Sequence, residues 1–166
     1  MSRRTALAGA VAITALLLQV TVIDRLHLPA GRPDLALVCV VAFALVGGPT
    51  YGAVLGFGVG FLADIMPPAD HTIGLLALAY AVVGYLAGLV EDVEERSVVT
   101  TVLMVGLASA VAVVVFAMIG ALLGNAHISL SAVAHSLAAT VIYDVVLAPF
   151  VVPLVSGAVR HAEPAG

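Results

Sequence analysis

The chain has 166 residues, 63% of them hydrophobic and 10% charged, with a formal net charge of −4. A soluble domain carries roughly a quarter charged residues, so a soluble globule is excluded and the long apolar runs predict several membrane spans. The basic residues are all arginines and form no cluster, which argues against a nucleic-acid partner or a polybasic headgroup contact. The lone cysteine, Cys39, excludes an internal disulfide and a multi-thiolate metal site.

The first apolar run covers residues 5–23. Arg3 and Arg4 precede it as in an export signal, but no small-x-small cleavage site follows at Asp24-Arg25-Leu26, so it reads as a retained first helix. Ala8, Ala12, Ala15 and Gln19 give that helix a small, weakly polar face. After a polar connection, Pro33-Asp34 opens a short second span, 33–47, because proline suits a first helical turn. Gly47-Gly48-Pro49 ends it sharply, and a third span, 50–66, stops at Pro67-Pro68. Both are marginal for a hydrocarbon core of roughly 30 Å at about 1.5 Å per residue. They predict a tight hairpin that thins the membrane locally or sinks within it.

The third span carries Gly52, Gly56, Gly60 and Asp64 at four-residue intervals, hence on one helical face. Small residues at that spacing let two helices approach closely in lipid, and an Asp at the end of the face points into protein. This segment is expected to be the central helix of the bundle. The fourth span, 72–90, has its own small-residue face of Ala77, Ala81, Gly84 and Gly88, suited to meet the glycine face. Glu91 to Arg96 is the one charged run and reads as a solvated loop. The fifth span is 97–124 and the sixth 129–155, with a small and polar stripe of Ala132, Ser136, Thr140, Asp144 and Ala148. Pro149 removes one ladder donor, leaving the Val145 carbonyl without its usual partner. The prediction is an all-α six-transmembrane-helix bundle forming one domain, residues 1–166. Arg3, Arg4, Arg96 and Arg160 then share one side against Arg25 and Arg32, which favours cytoplasmic termini.

Asp64 and Asp144 are the only acids well inside spans, and intramembrane carboxylates often mark function. The functional reading is a proton or cation site, or a polar anchor for a partner helix; the plainer reading is internal hydrogen bonding to Ser, Thr or Tyr on neighbouring helices. His27, His71 and His127 fall in the three outer loops of this topology, but no two have short ligand spacing, so solvated loop histidines are the plainer reading than a metal site. No partnered nucleophile, phosphate loop or HExxH motif occurs, and Gly56-Phe57-Gly58-Val59-Gly60 follows no strand, so its glycines serve packing. No catalytic residue and no cofactor are predicted.

Arg32-Pro33-Asp34-Leu35 precedes the second span, Gly52-x3-Gly56-Phe57-x2-Gly60-Phe61-x2-Asp64 follows, and after a short proline-containing loop come Gly74-Leu75 and the Gly84/Gly88 helix. This order resembles the rod shape-determining protein MreD family, best over about residues 32–90 and in hydropathy alone after that. The resemblance implies a six-helix fold like that of the S-components of energy-coupling-factor transporters. It implies a non-enzymatic role beside MreC, the MreB filament, the RodA glycosyltransferase and its class B penicillin-binding partner, in the bacterial inner membrane. The face from Gly52 to Asp64 would then be core or partner interface, as would Gly84, Gly88, Ser136, Thr140 and Asp144.

Three functional readings follow. The first is a membrane scaffold for wall elongation, which predicts a filled interior and an exposed apolar groove. The second is an S-component-like binder of a vitamin or metal ion, which predicts a polar cavity near the outer face. A proton-coupled carrier using Asp64 and Asp144 is weaker, because the chain shows no clear inverted repeat.

Overall fold

The computed structural model describes residues 3–26, 28, 31–66, 72–90, 98–124 and 130–162. Among them are six α-helices: α1 Arg3–Thr21, α2 Leu35–Gly47, α3 Pro49–Ile65, α4 Leu75–Gly88, α5 Val98–Leu122 and α6 Leu130–Ala162. A 3-10 turn, Ile23–Leu26, follows α1.

The helix ends follow from local chemistry. Asp34 is the N-cap of α2, its side chain accepting from the Leu37 N–H, so Pro33 lies just outside the helix rather than in its first turn. Gly48, at φ +83°, caps both α2 and α3, and Pro49 takes the first position of α3, where no N–H is needed. One glycine with positive φ thus turns the chain between two helices. Gly74, at φ +104°, caps α4 from the left-handed region. α6 runs on through Pro149 and Pro153 and past the predicted end at 155 to Ala162, because the fall in hydropathy there carries no helix-stopping geometry.

The axis of the bundle is α2, not α3, and this corrects the expectation drawn from the glycine face. Every residue from Ala36 to Leu45 is buried. α2 touches each of the other five helices, which close around it in the order α1, α3, α4, α5, α6 and back to α1. The reason lies in the side chains. α2 is apolar on every face, as a helix surrounded on all sides must be. α3 has a bare face turned inward and a bulky one turned out, with Val54, Phe57 and Phe61 exposed.

The outside of the ring is apolar. Leu103 and Leu107 on α5 and Phe150 and Leu154 on α6 are each at least two-thirds exposed, at 67%, 68%, 73% and 75%. Soluble monomers rarely leave contiguous apolar patches larger than a few hundred Å². Val99–Leu122 and Val133–Ala158 are each long and apolar enough to cross a membrane. The four remaining helices are shorter but apolar as well.

The central helix is also short. Its 13 residues span about 20 Å, whereas the 25 residues of α5 span about 37 Å at 1.5 Å per residue. α1, α5 and α6 extend well beyond this axis, and space is left over one end of it, the N-terminus of α2.

Candidate functional site

A helix start leaves four backbone N–H groups without intrahelical partners, and at the head of α2 three side chains, one its own N-cap and two from other helices, take three of them. Asp34 Oδ1 accepts from the Leu37 N–H at 3.0 Å. Gln19 Oε1, reaching from α1, accepts from the Ala36 N–H at 3.0 Å. The Asp34 N–H itself donates to Asp144 Oδ1 on α6 at 2.6 Å. The outer oxygens extend the network: Tyr80 on α4 donates its hydroxyl to Asp34 Oδ2 at 2.5 Å, and Ser109 on α5 donates to Asp144 Oδ2 at 2.6 Å. Five of the six helices are therefore joined at one point. Asp144 and Ser109 are fully buried there. In a low-dielectric interior such a network is worth more than exposed bonds, provided its members are satisfied.

Asp64 performs a parallel task for α4. It is fully buried, and its Oδ2 accepts from the Gly74 N–H at 2.9 Å and the Ala77 N–H at 3.0 Å, while Oδ1 accepts from the Leu76 N–H at 3.1 Å. The last turn of α3 thus supplies the capping carboxylate that the sequence of α4 lacks. A carboxylate at a helix N-terminus also meets the positive end of the helix dipole.

The glycines of α3 lead directly to this cap. A Cβ placed on Gly52 would fall on the Gly84 carbonyl, and one on Gly84 on the Gly52 carbonyl. A Cβ on Gly56 would strike the Tyr80 carbonyl, one on Gly60 the Leu76 carbonyl, and one on Gly88 the Gly48 backbone. α3 and α4 therefore touch backbone to backbone along their length, as small residues allow in lipid. Gly84 and Gly88 are covered by α3, which closes that face to any partner helix.

Above the head of α2 lies a cavity of about 410 Å³. Residues of α1, α3, α4, α5 and α6 line it, together with the segment 31–34 that leads into α2. Asp34, Tyr80, Gln19, Arg32, Ser136 and Thr140 supply its polar groups, and Leu16, Val20, Met66 and Phe116 are among its apolar ones. Exposed Arg32 and Ser136 stand at the mouth. A second, wholly apolar crevice of about 150 Å³ runs between α4 and α5, lined by Val83, Leu86, Val90, Met104, Leu107 and Val111.

The structure brings Ser136, Thr140 and Asp144 to the cavity and to the α2 head, and sets Gly52, Gly56, Gly60, Gly84 and Gly88 along the α3–α4 seam with Asp64 at its end. The side chain of Ala132 and the residues His27, His71, His127 and 91–97 lie outside what is described. Among the described residues no group of three or more His, Cys, Asp or Glu could hold a metal. Four members of the network were not singled out from the sequence as site residues: Gln19, Asp34, Tyr80 and Ser109. Asp34 carried the clearest signal, an Asp directly before an apolar run, which marks an N-cap. Ser109 was a lone hydroxyl inside an apolar span, a weaker one.

A family model described as rod shape-determining protein MreD matches residues 4–161, from the start of α1 to the last turn of α6. No curated protein and no solved structure matches the chain. The match takes in both capping carboxylates, the glycine seam and the apolar ring, and the chain belongs to the rod shape-determining protein MreD family of membrane proteins.

Proposed function

We propose that this protein is a non-enzymatic scaffold of side-wall synthesis, spanning the inner membrane six times with both termini in the cytoplasm. It binds an MreC-like single-span protein through helix contacts. Through that protein it is linked to the MreB filament, to RodA and to a class B penicillin-binding protein. The observation that carries this reading is the family match over residues 4–161. The chemistry agrees with it. The buried carboxylates accept hydrogen bonds from helix heads and hydroxyls, as structural groups do. Association in lipid rests on close packing and polar contacts, since apolar area alone gives no preference over lipid tails. With Gly84 and Gly88 turned inward, the outward positions for a partner helix are the Ser136 face of α6 and the α4–α5 crevice.

Single cysteines at Ser136 and at Leu107, in a Cys39→Ser background, test this. Crosslinking of either to the transmembrane segment of an MreC-like protein is the expected result. Failure of both to crosslink, with the two proteins co-expressed at normal levels, would remove the partner contact. The cavity favours a second reading, a binder of a small solute on the S-component plan. That reading predicts loss of uptake of one vitamin or metal ion on deletion, with cell shape unchanged.

A further inference from the structure

The head of a helix is ordinarily an anion site, because its free N–H groups and dipole attract negative charge. The head of α2 is different. Its N–H groups at Asp34, Ala36 and Leu37 already donate to Asp144, Gln19 and Asp34. The Tyr80 hydroxyl, which also lines the cavity, is directed at Asp34. These donors are thus committed within the protein, and the Asp34 carboxylate lines the cavity beside them. Two carboxyl groups stand at the floor, Asp34 in the wall and Asp144 directly behind it. The positive group is at the other end: Arg32 is exposed at the mouth, separated from Asp34 by buried Pro33. Between floor and mouth the walls are apolar, with Leu16 and Val20 on α1 and Phe116 on α5. The volume of about 410 Å³ lies within the range of about 300–1,000 Å³ typical of small-ligand sites.

We infer that this cavity binds a zwitterion carrying a protonated primary amine and a phosphate a few bonds apart, the chemistry of a phosphoethanolamine head. The ammonium lies at the floor against Asp34, where its N–H groups meet acceptor oxygens. The phosphate lies at the mouth beside Arg32, a residue suited to phosphate by its planar fork of donors. Acyl chains of a lipid bearing this head leave at the mouth and run along the apolar outside of the ring. An anionic head without an amine meets the Asp34 carboxylate instead and is rejected. A quaternary amine has charge but no N–H to donate, and so binds more weakly. This inference goes beyond the scaffold reading and does not depend on it.

The test uses the full chain in nanodiscs of phosphatidylcholine containing equal small fractions of phosphatidylethanolamine and phosphatidylglycerol, with retained lipid counted by native mass spectrometry after gentle release. Phosphatidylethanolamine should be enriched several-fold over both other lipids. Arg32→Gln and Ser136→Trp change exposed residues at the mouth, leave the α2 cap intact, and should each reduce that enrichment to near one. Soluble phosphoethanolamine separates the two sources of the head: displacement of the lipid supports a water-accessible head site, and enrichment without displacement supports the lipid as ligand. Equal retention of all three lipids by the wild type, or unchanged enrichment in both variants, overturns the proposal.

Discussion

Asp64 and Asp144 look alike in the sequence, each an isolated acid in an apolar span, yet their bonding sets them apart. Asp64 accepts three backbone N–H groups, two on Oδ2 and one on Oδ1. An asparagine there would keep one acceptor oxygen and turn its amide donor toward another donor. Asp64→Asn should therefore destabilise the bundle by about 1–3 kcal/mol, the cost of a buried donor left unmet. Asp64→Leu should cost more. Asp144 accepts one backbone N–H and one hydroxyl. A hydroxyl can turn and accept, so Asp144→Asn can keep both bonds and should retain near-normal thermal stability in detergent and most function. Full loss of function in Asp144→Asn with normal expression would instead favour ion coupling. At this scale the sequence made the existence of buried carboxylates plain. It did not reveal that Asp64 serves backbone amides, because its partners at Gly74 to Ala77 lie 10 to 13 residues on and are brought to it by the α3–α4 seam.

At the scale of elements, the seam follows from spacing. Four-residue intervals put Gly52, Gly56 and Gly60 on one face, and the matching small residues of α4 sit opposite. Gly58 lies on the same helix with nothing within 4 Å of its missing Cβ. Gly58→Ala should therefore be neutral or stabilising by about 0.5–1 kcal/mol, through helix propensity. Gly56→Ala should cost about 1–3 kcal/mol, because Tyr80 backbone blocks the new methyl. Membrane accumulation and thermal unfolding of the pair decide it, and equal behaviour would contradict the backbone contact. The choice of α3 as the axis failed for a physical reason. A glycine face demands one close neighbour, whereas a helix surrounded on all sides needs apolar side chains on every face. Leu35 to Gly47 met that second condition, and its uniform hydropathy was legible without the structure.

The whole molecule adds what neither residues nor elements contain. The cavity lies over the head of a short axis among longer helices, α1, α5 and α6 above all, and no single segment states that difference. The six spans proposed above would place both termini on one side, and the arginine bias favours the cytoplasm for that side. A reporter fused after Gly166 should be active in the cytoplasm, and its export would reverse the orientation. The scaffold role makes the strongest demand at this scale. Depletion of the protein in a rod-shaped host, followed by imaging of cell outline and of newly inserted wall, tests it most directly. The account predicts rounded cells with mislocalised wall insertion, restored by the wild-type chain. Normal rods with normal side-wall insertion after depletion would contradict it.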